Sequence, residues 1–252
     1  LCLFLSIVLG LIYLNLSATD QASTTSLIGA CFMASIFSGV AMGATTIPVS
    51  MAVRPTFYRE KAGGYYLPVF WAVCELLLEV VWCLPDLVVT VLPSYWMIGL
   101  QADAAVFFKY LFSTFLLFMS YVSLAQLYSS ISPSQGAAQI LNSGTASLLK
   151  AFSGISIPLS KVPKGWKWLY YILPNQHIFN GIVMNQFEGN SGELTIFKDN
   201  QAVTLPIRDY VASYLGWSFG DMWPNVGWAI LFIGVVQIFH FLGVMFISHN
   251  KL

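Results

Sequence analysis

Apolar residues in this chain fall into long runs broken by short polar or charged connections, over approximately 1–16, 27–51, 66–97, 104–131, 137–157 and 224–248. A hydrocarbon core of about 30 Å takes about 20 helical residues to cross, and backbone groups left unpaired in lipid cost several kcal/mol. The runs therefore predict six membrane-spanning helices and an all-α integral membrane fold. The first run is short for a span, opens on Leu1 rather than Met, and lacks the basic flank and cleavage site of a signal peptide. This predicts a chain cut inside its first span.

Between the fifth and sixth runs, 159–223 is patterned differently. The pieces 164–174 and 177–187 are apolar and aromatic but too short to cross, so they are expected in the membrane interface or re-entering from outside. Leu194 to Phe197 and Ala202 to Leu205 flank Lys198-Asp199-Asn200-Gln201 in order of a small hairpin, and 206–215 reads as a short helix stopped by Gly216.

Between the second and third runs, 53–64 forms a charged elbow. Pro55 resets the chain, Thr56 caps a turn, 57–62 supplies about one and a half turns, and Gly63-Gly64 ends it. On spacing alone this short amphipathic helix is either an interfacial anchor or a docking element.

Composition agrees with the pattern: 57% of residues are hydrophobic, 9% are charged, and mean hydropathy is +0.73. The four cysteines, Cys2, Cys31, Cys74 and Cys83, lie inside predicted spans without CxxC spacing and read as apolar filler. Arg54, Arg59 and Lys61 in the elbow and Lys251 in the tail, against no basic residue in 17–26 or 99–103, place elbow and C-terminus on the cytosolic side. The segment 159–223 is then external; it carries Lys161, Lys164, Lys167, Lys198 and Arg208 but is too long for the charge bias to bind. Asn15-Leu16-Ser17 is a formal glycosylation sequon close to the membrane.

Polar residues inside spans are functional candidates because a charge in hydrocarbon is costly. Glu75, Glu79 and Asp86 fall within about a 40° arc of one helix face. They read as a proton or cation relay, or as pairing with the basic elbow at Arg54 or Arg59 or with polar groups inside the bundle; closeness to the elbow favours pairing. Lys150, in the middle of the fifth run, either attracts anionic substrate groups or pairs with an acid such as Glu79. Gln237 and His240 are expected to hydrogen-bond between helices, and Ser35, Gly39 and Gly43 form a small-residue face suited to bundle packing or to a dimer seam. His177, His240 and His249 are scattered, and no arrangement points to a metal site or a catalytic residue.

Phe57-Tyr58-Arg59-Glu60-Lys61-Ala62-Gly63-Gly64-Tyr65 closely resembles the Phe-Tyr-Arg-Glu-x-Ala-x-Gly-x-Tyr motif of G-type ABC exporters, the white and pleiotropic-drug-resistance group. The likeness continues in order through Glu79, Phe152-Ser153-Gly154, Ile157-Pro158, Pro163, Trp166-Lys167-Trp168, Tyr170-Tyr171, Pro174, Asn180-Gly181, Gln186-Phe187 and 210–216.

The resemblance implies the membrane-spanning, substrate-translocating half of an ATP-driven exporter of lipids, drugs or other amphipathic compounds. It also implies six helices of the type-2 exporter kind, an external re-entrant cap, alternating access, and work as a dimer or pseudo-dimer at the plasma membrane. Tyr58, Arg59, Glu60 and Lys61 would contact a nucleotide-binding domain, with Gly63 and Gly64 permitting the turn. Met33, Phe37, Ser38, Ala41, Thr145, Leu148 and Leu149 would line the substrate cavity, and Ile155 and Ser156 the gate, where Ser156 replaces the usual bulky apolar residue. The other departures are Trp82 and Pro85, where the expected proline after Glu79 has moved downstream, and Glu75, where Gln or a basic residue is commoner.

No Gly-x-x-x-x-Gly-Lys-Ser/Thr loop occurs in these residues, so ATP and Mg are implied on a nucleotide-binding domain outside them, and no cofactor or nucleic-acid partner is implied for the residues themselves. Two other classes remain open from the residues: an ion-coupled transporter or channel using Glu75, Glu79 and Asp86, and a non-transporting assembly subunit.

Overall fold

The computed structural model describes residues 2–16, 20–157, 162–189, 192–198 and 201–248. Ser17, Pro158, Lys161, His249 and Lys251, named above, lie outside the described residues. The elements in chain order are α1 (Cys2–Ile12), α2 (Gln21–Ala62), α3 (Pro68–Ile98), α4 (Ala104–Ile131) and α5 (Gln135–Ala151). After a single 3-10 turn (Lys164–Trp166) come α6 (Lys167–Ile172), α7 (Pro174–Phe187), β1 (Glu193–Lys198), β2 (Gln201–Pro206), α8 (Ile207–Leu215) and α9 (Met222–Phe246).

Among the described residues four helices, α2, α3, α4 and α9, are long and apolar enough to cross a membrane. The helix α1 has 11 residues and α5 has 17, both shorter than the about 20 residues that cross the core without thinning it. The fifth run was expected to stay helical to 157. It stops at Ala151 because Gly154 takes a left-handed backbone, φ +83°, which also brings it against Trp217 and Tyr170.

Helix α4 is the hub, packed against α2, α9, α7, α5 and α3. Its start is fixed by Asp103, whose carboxylate accepts from the amides of Ala105 and Val106. The face of Ser35, Gly39 and Gly43 meets α4: a Cβ on Gly39 would lie 2.8 Å from the Tyr121 ring, and one on Gly43 3.1 Å from the Tyr121 carbonyl. Close packing inside the bundle therefore uses this small-residue face.

The larger departure from expectation is α2, which runs unbroken for 42 residues through Pro48 and Pro55. Proline removes the N–H that would bond the carbonyl four residues back, so Pro48 frees the Ala44 carbonyl. Gln139 of α5 fills that vacancy, its Nε2 donating to Ala44 O at 2.9 Å. The elbow is therefore the last three turns of α2 rather than a separate helix. Gly63 closes it, with its amide on Arg59 O, and Gly64 turns the chain at φ +67°.

The helix α7 is buried over almost its whole length, inserted against α4 and α9. Its polar side chains have bundle partners: Asn175 donates to the Tyr121 hydroxyl and to Leu149 O, both at 3.1 Å, and Asn185 donates to Val106 O at 2.9 Å. Beyond it β1 and β2 pair antiparallel with Glu193 opposite Pro206, and α8 ends on left-handed Gly216.

Candidate functional site

Because α2 continues through the elbow, side chains at helical spacing from Ser50 onward share a face. Ser50, Arg54, Phe57 and Lys61 follow the i, i+4, i+7, i+11 pattern, and seven residues return within about 20° of the starting direction. This stripe points into the bundle, and Phe57 is buried there against Trp71, ring centroids 5.0 Å apart.

Arg54 and Lys61 close the open ends of two other helices. Arg54 donates to Ser129 O at 3.0 Å, Ser132 O at 2.7 Å and Pro133 O at 3.3 Å, all at the C-terminus of α4. Lys61 Nζ donates to Val244 O at 3.1 Å and Met245 O at 2.8 Å, at the C-terminus of α9. Neither α4 nor α9 has a basic residue in its own last turn. The last four carbonyls of a helix lack intrahelical donors and carry its negative pole, so cations from α2 satisfy both needs.

The other elbow residues face elsewhere. Arg59 is exposed and reaches Thr56 Oγ1 at 3.4 Å. Glu60 accepts from the Tyr66 hydroxyl at 2.6 Å, folding the turn after Gly64 back onto α2. Burial, the bond to Glu60 and the Glu60 charge push the Tyr66 hydroxyl up to about 12. The Tyr66 ring stacks on Trp71 at 6.3 Å, and Tyr58 packs its ring against Phe57 at 5.7 Å. Of the four predicted contact residues, Lys61 thus turns inward and Arg59 outward.

Of the partners expected for the third-span acids, Glu75 meets polar groups inside the bundle rather than the elbow, because Arg54 is drawn to the helix-end carbonyls. Glu75 accepts from Ser50 Oγ at 2.5 Å and lies 3.4 Å from His240 Nε2, while His240 Nδ1 is 3.0 Å from Gln126 O. Gln237 donates to Gln126 Oε1 at 2.7 Å and Ser123 Oγ at 3.1 Å. Glu75 and Glu79 line one groove between α2 and α3 with Val49, Val53, Trp71 and Trp82; Asp86 is not part of that lining.

Lys150 sits in the last turn of α5, not mid-helix, and is exposed with Nζ 5.5 Å above the Phe37 ring rather than paired with Glu79. Around it the cavity candidates divide. Phe37 (42% exposed) and Leu148 (48%) face outward on α2 and α5. Ser38, Ala41 and Leu149 are buried in the bundle, and Met33 is partly so. Thr145 is held by the Tyr128 hydroxyl at 2.5 Å. Ile155 and Ser156 lie past the end of α5, Ile155 against the core and Ser156 exposed. Cys31 and Cys83 are buried free thiols as expected of filler, but Cys74 is exposed on α3. Among the described residues no group of His, Cys, Asp and Glu is placed to hold a metal ion.

Two features escaped the sequence reading: the stripe of Arg54 and Lys61, hidden by the assumed break at Pro55, and the Ser50–Glu75–His240 cluster. The i, i+7 spacing of the two cations was the available clue.

Residues 1–187 match the ABC-2 type transporter family. Among curated relatives, ABC transporter G family member 53 of Oryza sativa subsp. japonica is 28% identical over 224 residues, covering 89% of this chain and 15% of the relative. ABC transporter G family member 36 of Arabidopsis thaliana is 27% identical over 229 residues, 90% of this chain and 16% of that protein. ABC transporter G family member 2 of Dictyostelium discoideum is 27% identical over 206 residues, 81% and 15% respectively. This chain therefore spans only about 15% of the length of these relatives. With the matched stretch carrying the elbow, α4 and α7, the chain belongs to the ABC-2 type transporter family as membrane domain of the ABC transporter G kind.

Proposed function

We propose that this chain is the substrate-translocating part of an ATP-driven exporter of lipids, drugs or other amphipathic compounds, working by alternating access. The observation that carries the reading is the double tether of the elbow, Arg54 to the end of α4 and Lys61 to the end of α9. A nucleotide-binding domain, upstream in the polypeptide or on another chain, would hold ATP and Mg and press on the elbow at Tyr58 and the exposed Arg59. Its closure would then move the ends of three helices together. The continuous α2, about 63 Å at 1.5 Å per residue, would carry that movement along the bundle.

A second copy or pseudo-copy would face the outward side of α2 and α5, where Phe37, Leu148 and Lys150 form a wall apolar enough for amphipathic substrates and cationic at one point. The elbow and the C-terminus would lie in the cytosol of a plasma-membrane protein, with 159–223 outside.

The test is uptake of an amphipathic fluorescent dye into inside-out vesicles holding the full-length protein. Uptake that needs ATP and survives collapse of proton and sodium gradients supports the reading. Uptake that follows an ion gradient without ATP makes Glu75 and Glu79 the drivers, and no uptake with either leaves an assembly subunit.

A further inference from the structure

At the end of the bundle opposite the elbow a cavity of about 110 Å³ opens between the first turns of α4, the last turns of α7 and the start of α9. Its lining includes Lys109, Asn180, Asn185, Glu188, Phe219 and Trp223. At about 30 Å³ per water, this is room for a small polar group rather than for a solvent molecule alone.

One buried group in it is unfinished. Asn185 is 5% exposed; its Nδ2 donates to Val106 O at 2.9 Å, which fixes the amide orientation and leaves Oδ1 with no partner. A buried carbonyl oxygen without a donor is costly, so the site calls for a ligand that donates. Lys109 and Glu188 stand at the rim, 3.8 Å apart, with side chains 39% and 52% exposed. That separation is too long for a charge-assisted hydrogen bond, and the pair exchanges partners at little cost.

The lining thus offers one cation, one anion and one buried acceptor. Trp223 (69% exposed) lies in the first turn of α9, and Phe108 (64%) and Phe112 (39%) run outward along α4 beside Lys109. Tryptophan at the end of a spanning helix marks the membrane–water boundary, and the phenylalanines continue into the apolar zone.

We propose that this cavity holds the headgroup of a phospholipid bearing a primary ammonium, its phosphate on Lys109, its ammonium shared by Glu188 and Asn185 Oδ1, and its acyl chains along Phe108 and Phe112. A primary ammonium has three N–H donors and satisfies both acceptors at once. A choline headgroup has none and needs an aromatic cage. Of the two rings in the lining, Phe219 already carries the Arg208 guanidinium 4.4 Å from its centroid, which leaves Trp223 alone. The balanced charge of the rim disfavours a purely anionic lipid. This inference stands apart from the transport reading, since it concerns a resident lipid at the far end of the bundle.

The experiment is native mass spectrometry of the full-length protein in detergent, titrated with dioleoyl phosphatidylethanolamine, phosphatidylcholine or phosphatidylglycerol. Wild type should retain phosphatidylethanolamine in preference to both others. Glu188→Gln should weaken it by about tenfold, the loss of one charge-assisted bond, and abolish the preference over phosphatidylcholine. Lys109→Gln should weaken phosphatidylethanolamine and phosphatidylcholine alike. Both substitutions are at the exposed rim, and an unchanged thermal midpoint separates lost binding from lost folding. Equal retention of the three lipids, a preference for phosphatidylglycerol, or variants that bind as wild type would overturn the proposal. So would displacement by soluble glycerophosphoethanolamine at matched concentration, which would assign the site to a free headgroup rather than a lipid.

Discussion

Replacing Arg54 with Met keeps most of the side-chain length and removes the charge that closes the end of α4. Two of its three bonds, to Ser129 O and Ser132 O, are part-buried, and the one to Pro133 O is exposed and counts for little. Hydrogen bonds from a charged donor contribute about 1.5–3 kcal/mol when buried, and a cation at a helix C-terminus about 0.3–1 kcal/mol. Discounted for partial exposure, the loss is about 2 kcal/mol, or roughly thirtyfold in the equilibrium for opening the last turn of α4. Amide hydrogen exchange of the peptide 125–132 in the full-length protein reads this opening directly. Arg54→Met should speed it by about that factor. Arg54→Lys, which keeps the charge but not the fork of donors, should speed it by about fivefold. Exchange that changes less than about threefold in the Met variant would show that Arg54 does not hold the end of α4, because water would then serve those carbonyls equally well.

Two further outcomes follow from local geometry. Gly39→Ala should lower the thermal midpoint by the equivalent of about 2 kcal/mol, since the Tyr121 ring it meets at 2.8 Å is buried and its hydroxyl is held by Asn175; Gly29→Ala, with nothing within 4 Å, should be neutral or slightly stabilising, and the opposite ranking would contradict the packing. For Tyr66 the hydroxyl is raised from 10.0 to about 12, so its contribution is fully present below pH 10 and disappears as pH rises through about 12. The midpoint difference between wild type and Tyr66→Phe should accordingly be flat below pH 10 and shrink between 10 and 12, and a difference constant to pH 12 would show that the bond to Glu60 is immaterial.

Much of the helical framework was legible because the membrane makes hydropathy and backbone satisfaction nearly the same question. The apolar run 104–131 coincides with α4, and 206–215 with α8 to within a residue. Continuity of α2 beyond residue 51 was not legible, because helices usually end before a proline and Pro55 therefore reads as resetting the chain. The targets of Arg54 and Lys61 were hidden for a different reason. They are backbone carbonyls, which look the same whichever residue bears them, whereas Glu75 and Glu79 stand out in the sequence as acidic partners. The depth of α7 inside the bundle escaped as well, because 177–187 reads as an interfacial or re-entering piece while the partners of Asn175 and Asn185, at Tyr121 and Val106, are distant in sequence.

In the proposed function the elbow drives the bundle through its two tethers. The measurement that tests it is ATP hydrolysis by the full-length protein in lipid vesicles, with and without a transported amphipathic substrate, comparing wild type with Lys61→Met. The variant loses both bonds to the end of α9 while Tyr58 and the outward Arg59 keep their places. Basal hydrolysis that survives together with lost stimulation by substrate is the predicted result. Stimulation equal to wild type would contradict the account and return the elbow to the role of a membrane anchor.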